Sequence, residues 1–335
     1  MIEKHIQQQF NEFNRLSGKF APFIASIPHK RIASIGRALG MFMYGMDVRH
    51  RRIVRRNLKF VYPGWSPERV KKVSQCVFQN LGITILEICQ IACFSSDDII
   101  NKVNIRGEEH LLKAMQNNKG AILITAHLGN WEIVPLFWPL HFKTPLTVVA
   151  RQIQSKTINQ WIHGLRTRFG SRVIYKDDAL PEMTRTLRNG KILAILIDQG
   201  IKSSLGIKIK FFNKFVSATP AASLLAMRCK SPVLPGFCIR NEDSTFTIYL
   251  EAPLVLKRTG DLSADLKSNT QIMTDAIEKI VRKYPEQWFW VHKRWRKYYP
   301  HLYPEDMERR RHRRSRKKQR AQSKMSQSFF QKFKD

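Results

Sequence analysis

The sequence predicts an α/β protein: a mixed, largely buried sheet flanked by helices, preceded by an N-terminal helical membrane-associating region. Three observations carry that expectation. From about residue 103 short apolar runs alternate with amphipathic segments, the pattern of strands and helices in turn. Residues 1 to about 100 read as helices. After Pro304 the core-forming residues give way to a cationic tail. The chain therefore divides into residues 1–100, an α/β domain over 101–304 and a basic, disordered tail over 305–335.

In the N-terminal region, Ala21 to Met46 is apolar but broken by Pro28-His29-Lys30-Arg31 and by Arg37. No stretch of the chain is continuously apolar over the ~18 residues a membrane span needs. The cation-bearing second half of this segment suits a helix lying at a membrane interface, or a core helix. Ser66-Pro67-Glu68 opens another helix, with Ser66 as N-cap and Pro67 at the first helical position, and Gly82 is a candidate break in it. Strands are expected at Val103–Arg106, Gly120–Thr125, Leu146–Ala150, Arg172–Tyr175, Ile192–Ile197, Val233–Ile239 and Thr245–Leu250. Helices are expected at Trp131–Leu140, Ser155–Phe169, Pro181–Arg188, Pro220–Arg228 with Thr219 as cap, and Ala264–Lys283.

A formal charge of +32 on 335 residues is the compositional outlier. It calls for anionic partners: phospholipid headgroups, nucleic acid or an acidic protein. No helix-turn-helix, zinc-finger or RNA-recognition pattern is present, so specific nucleic-acid binding is not expected. The five cysteines form no Cys-x-x-Cys pair and read as small apolar residues in a reducing compartment. The polar start "MIEKHIQQQFNEF" is not a secretory signal, which points to exposure to cytosol.

The chemistry concentrates in "AILITAHLGNWE", Ala121 to Glu132. A strand ending at Thr125 would deliver His127 to the carboxyl edge of the sheet, where α/β proteins place their ligands. Asn130 can cap a helix beginning at Trp131, with Glu132 in its first turn, where the macrodipole favours a carboxylate. Gly129 lets the loop fold back, so that Glu132 can hydrogen-bond one imidazole nitrogen and leave the other as a directed base. A satisfied loop histidine is the plain alternative. A zinc site is not expected, because no second His follows at helical spacing, and no Gly-x-Ser-x-Gly elbow supports a serine hydrolase.

"TAHLGNWE" resembles the His-x-x-x-x-Glu box of the bacterial lipid A late acyltransferases, the lauroyl and myristoyl transferases, related to the His-x-x-x-x-Asp glycerolipid acyltransferases. Five further segments are similar to theirs in the same order: "RRNLKFVYPGWSPE" (Arg55–Glu68), "VVARQIQSKTIN" (Val148–Asn159), "LIDQG" (Leu196–Gly200), "KFFNKFVSATPAASLLAMRCKSPVLPGFCIR" (Lys210–Arg240) and "YPEQWFWVHKRWRK" (Tyr284–Lys297). The resemblance spans roughly residues 15 to 300 and implies a glycerolipid-acyltransferase-like fold. It also implies transfer of an acyl chain from an acyl carrier protein thioester to a hydroxyl of a lipid A precursor, with no cofactor, at the cytoplasmic face of the bacterial inner membrane. In that frame His127 is the general base and Glu132 orients it. Arg151, Asp198 and Asn130 are the candidates for substrate or oxyanion contact: Arg151 as oxyanion donor or phosphate ligand, Asp198 positioning Arg151 or substrate or capping a helix, Asn130 shaping the loop. Trp288, Trp290 and Trp295 are core residues or part of an interfacial belt. Arg37, Arg309, Arg310, Arg311, Arg313 and Arg314 are candidates for contact with an anionic surface.

Overall fold

The computed structural model describes residues 23–24, 26–176, 179–201, 206–306 and 319. Among the described residues, the helices α1 (His29–Met46), α2 (Val48–Val61) and α3 (Pro67–Ile91) precede the sheet. As expected, the Ser66 hydroxyl accepts from the Arg69 amide at the start of α3, with Pro67 in its first turn. Gly82 does not break α3. It instead lets α1 cross at backbone contact, since a Cβ there would stand 2.2 Å from the Gly36 carbonyl oxygen. Gly36 and Gly40 of α1 are tight in the same way, each within 2.5 Å of α3 backbone if given a Cβ. No helix among the described residues is long and apolar enough to cross a membrane. Arg37 is exposed on α1. Arg309, Arg310, Arg311, Arg313 and Arg314 lie outside the described residues.

The short helix α4 (Ser96–Lys102) leads into alternating strands and helices: β1 (Val103–Arg106), α5 (Glu108–Met115), β2 (Ala121–Thr125), α6 (Val134–Phe142), β3 (Leu146–Ala150), α7 (Lys156–Thr167), β4 (Arg172–Tyr175), α8 (Ala179–Arg188) and β5 (Ile192–Leu196). A hairpin of β6 (Ile207–Phe211) and β7 (Lys214–Ala218) precedes α9 (Ala221–Cys229), β8 (Val233–Arg240), β9 (Phe246–Leu250) and α10 (Leu262–Lys283). Seven strands pair in the order β1-β9-β8-β2-β5-β3-β4, and every pairing is parallel except β8 with β9. All seven were expected from the sequence. A sheet this parallel must be covered on both faces. Ile122 and Ile124 pack into one apolar layer with α8, α9 and α10, while Leu123 faces a second layer with α5, α6 and α7. Every residue of β8 is buried.

Trp288, Trp290 and Trp295 are core residues, each at most 2% exposed, which removes the interfacial-belt alternative for them. Phe211 of the hairpin meets Trp288 edge-on and stacks on Trp295, and Trp290 meets Trp288 edge-on and stacks on Trp295. The two terminal signatures meet there: buried Asn57 of α2 donates to the carbonyls of Trp290 and His292, at 2.8 and 3.0 Å.

Candidate active site

The carboxyl ends of β2, β3 and β5 open onto a cavity of about 600 Å³, lined by Thr125, Ala150 and Leu196 at the strand ends. It is apolar in depth and reaches both sheet faces: Leu123, Val148 and Ala194 on one, Met183 of α8 and Leu224 of α9 on the other. His127, Trp131, Glu132, Arg151 and Gln199 stand at its polar rim.

His127 follows β2 by two residues and is pinned from three sides. Its amide donates to Asp198 Oδ2 at 3.0 Å, and its carbonyl accepts from the Phe289 amide at 3.1 Å. Its Nδ1 lies 2.8 Å from Asp198 Oδ1. Asp198 sits two residues past β5, the strand that pairs with β2 in register, so the two strand ends bring acid and imidazole together. Asp198 is 3% exposed, and Trp288 Nε1 donates to its Oδ2 at 2.8 Å. Burial alone would raise the Asp198 carboxyl, but the facing His127 and the hydrogen bonds from His127 and Trp288 outweigh it, holding the group down to about 2. An anionic Asp198 can only accept from Nδ1–H, so in the neutral imidazole the lone pair falls on Nε2. The Gln199 side-chain nitrogen stands 3.3 Å from Nε2.

The acid expected to orient His127 was Glu132. The structure puts Asp198 in that position, and Asp198 neither caps a helix nor meets Arg151. Glu132 turns instead to α7, where Arg166 Nε donates to Oε2 at 2.7 Å and Nη2 to Oε1 at 2.5 Å. The Trp131 indole also donates to Glu132 Oε1, at 3.0 Å, and its ring packs edge-on to His127. Burial would lower the Arg166 guanidinium, but the Glu132 carboxylate reverses that and raises it. The reason for the displacement is local. Helix α6 begins at Val134, not Trp131, because Pro135 belongs in a first turn and residues 130–132 are held in a tight polar loop. Asn130 is therefore not a helix cap: its Oδ1 accepts from the Glu132 amide at 3.3 Å and its Nδ2 donates to Glu87 Oε2 at 3.1 Å.

That Glu87 belongs to a network the sequence reading missed. Arg240, at the end of β8, donates Nε and Nη2 to the two Glu87 oxygens at 2.7 and 2.6 Å. It also reaches Thr84 and Asn80 on α3. Gln287 then brackets Arg240, accepting from its amide and donating to its carbonyl, while the Gln287 carbonyl accepts from the Gly129 amide at 3.2 Å. Gly129 has φ +58°, and a Cβ there would stand 2.3 Å from the Cys238 carbonyl oxygen, so the loop tolerates only glycine. Arg151 is exposed on the cavity rim just past β3. Among the described residues no group of three His, Cys, Asp or Glu side chains is placed to hold a metal ion.

Residues 17–297 match the family model described as bacterial lipid A biosynthesis acyltransferase. The chain belongs to that family. It is an O-acyltransferase. It is similar to a lipid A biosynthesis acyltransferase of Haemophilus influenzae, 22% identical over 274 residues that cover 81% of this chain and 84% of the relative. It is similar also to the lipid A biosynthesis lauroyltransferase of Escherichia coli, 22% identical and covering 82% and 88% of the two chains. A phosphatidylinositol mannoside acyltransferase of Mycobacterium tuberculosis is 22% identical over 57% of this chain and 59% of its own length. In this acyltransferase the cavity opens beside the His127–Asp198 pair.

Proposed function

We propose that this acyltransferase moves a fatty acyl chain from an acyl carrier protein thioester to a hydroxyl of a lipid A precursor, with His127 as general base. The observation that carries the reading is the 2.8 Å bond between His127 Nδ1 and buried Asp198, at the mouth of an apolar cavity of about 600 Å³. His127 Nε2 takes the proton of the acceptor hydroxyl, and the oxygen adds to the thioester carbonyl carbon. The tetrahedral oxyanion then collapses, the carbon–sulfur bond breaks, and the imidazolium returns the proton to the departing thiolate. Base catalysis of this kind is worth about 100- to 10,000-fold in rate. Arg151 and the Gln199 amide, both on the rim, are the side chains suited to meet the oxyanion. No cofactor is needed, because the thiolate is already a good leaving group.

Peripheral attachment to the cytoplasmic face of the inner membrane is part of the reading. Phe42 and Met46 of α1 are 65% and 71% exposed, and Arg37, Arg49, Arg52 and Arg55 stand exposed on the same helical pair. Exposed apolar side chains among cations are the composition of an interfacial helix. The test is mass spectrometry of cell-envelope lipids from cells expressing the chain or its His127→Ala variant in an acyltransferase-deficient host. We expect one added ester-linked acyl group on lipid A precursors with the wild type alone. An unchanged lipid A accompanied by a newly acylated glycolipid of another class would overturn the acceptor, and full activity of a folded His127→Ala protein would overturn the base.

A further inference from the structure

Acyl transfer by a histidine–carboxylate pair demands nothing from the segment "PEQWFWVHKRW" (Pro285–Trp295), yet this segment lies against both members of the pair. Gln287 to Phe289 run antiparallel to His127–Gly129 as a short splint. Its bonds are those from the Gly129 amide to the Gln287 carbonyl and from the Phe289 amide to the His127 carbonyl, with Leu128 bridging to Trp288 between them. From the middle of that splint the Trp288 indole reaches across to Asp198 Oδ2 at 2.8 Å. The indole is fixed by its neighbours: it is 2% exposed, with Phe211 5.6 Å and Trp290 4.7 Å away in edge-to-face contact.

An indole N–H can only donate, so Trp288 requires an acceptor oxygen at Oδ2 and disfavours a protonated Asp198 there. It also shares that oxygen with the His127 amide. Two donors on Oδ2 draw negative charge away from Oδ1, the oxygen facing the imidazole. The other groups around the pair do not substitute for it. Gln199 approaches the imidazole and not the carboxylate. Trp131 and Phe289 present rings to His127. Glu132 is committed to Arg166. Arg294 is buried beside Gly200 and feels the Asp198 charge, but its Nη1 donates to the Ser217 carbonyl and not to the carboxylate, and His292 next to it is kept neutral by burial and by Arg294.

We propose that Trp288 is a positioning residue for acyl transfer: its indole N–H locks the Asp198 carboxylate in the rotamer that meets His127 and shares its charge, so that the imidazole works as a base and readily gives its proton back. The inference rests on the reading of His127 as the base.

The test uses the full chain and measures kcat against pH for the wild type, Trp288→Phe, and a protein carrying β-(3-benzothienyl)alanine at 288. The latter keeps both fused rings and loses only the N–H, so it remains informative if Trp288→Phe fails to fold. Without the donor, charge concentrates on Oδ1 and the imidazolium is held more tightly. We expect the acidic limb of kcat to move to higher pH by about half a unit to one unit, with kcat on the plateau down about 10-fold and KM for the acceptor within twofold. In an Asp198→Asn background the same substitution should change kcat less than about twofold, since both act through one carboxylate. Phe211→Leu, which disturbs the packing of Trp288 and no hydrogen bond, should leave the limb in place. An unmoved or lowered limb in the benzothienyl protein, or an additive loss with Asp198→Asn, would overturn the proposal. Should His127→Ala itself retain turnover, the base reading fails first, and that outcome is distinct from an inactive His127→Ala alongside an unaffected Trp288 variant.

Discussion

Glu132→Gln separates the two jobs that a carboxylate beside a catalytic histidine can have. In the structure Glu132 touches Arg166 and the Trp131 indole, with side-chain exposures of 6% for Glu132 and 18% for Arg166. Removing one charge leaves a mostly buried guanidinium facing an amide that can satisfy it with one oxygen only. Breaking a buried pair from one side costs about 3–5 kcal/mol. The residual exposure of Arg166 puts the expected loss at the lower end, about 3 kcal/mol. Arg166→Gln should cost a similar amount. The double variant removes both charges, so its loss should fall short of the sum by about 2–3 kcal/mol. Urea unfolding followed by tryptophan fluorescence measures all four proteins, and steady-state kcat is taken on the same samples. A direct contact between Glu132 and the imidazole would make Glu132→Gln lose ~100-fold or more whatever happens at Arg166. The geometry instead predicts about a 10-fold loss, acting through the loop, and recovery of most of it in the double variant. Two results would refute this reasoning: a stability loss under about 1 kcal/mol for Glu132→Gln, or a double variant as inactive as the single one.

Two further outcomes follow from charge placement. Burial, and then the neighbouring Arg294, pushes His292 down from 6.5 to about 4. The unfolded chain therefore binds a proton there between those values that the native protein does not, and stability falls as pH drops through that window. The slope is about 1.4 kcal/mol per pH unit. His292→Gln should remove it, and denaturation curves at pH 7 and 4.5 that stay parallel for the two proteins would contradict the assignment. Deleting residues 305–335 should weaken association with anionic liposomes in low salt and have little effect at high salt, because screening removes the cationic contribution. Equal binding of the two proteins in a low-salt flotation assay would leave the tail without a membrane role.

The central sheet strands were legible because they are short apolar runs bounded by turn residues, a pattern that burial on two faces imposes, while the edge strands β1 and β4 are only partly buried. The β6–β7 hairpin was not legible. Its first strand alternates with lysine, and its two-residue turn is Phe212-Asn213, both at positive φ, where Gly would have signalled it. His127 and Asp198 were each legible as polar residues ending apolar strands. Their pairing was not, because it depends on β5 lying beside β2, which is a fact of strand order. Arg166 sits on an amphipathic helix and resembles any surface arginine. Glu87 did leave a signal, as a lone acid in the apolar run "ILEICQI", since such a residue must find a partner inside. What hid its partner was again distance along the chain: Arg240 lies 153 residues away.

Three buried carboxylates surround this site, and each has a different basic partner. Glu87 faces Arg240, Glu132 faces Arg166, and Asp198 faces His127. A guanidinium stays charged throughout the working pH range, so the first two pairs have a fixed charge state. They can hold a loop but cannot exchange a proton. Only the third pair contains an imidazole, a side chain that can pass a proton. The loop is bolted by permanent pairs on either side, through Asn130 to Glu87 and through Glu132 to Arg166, while its one exchangeable proton sits on the residue that faces the cavity. The arrangement explains why the acid five residues after His127 is not its orienter. Were Glu132 shared between Arg166 and the imidazole, the guanidinium would draw off its charge and the loop would lose its clamp each time His127 changed state. Separating the two duties would let the proposed base cycle without moving its support.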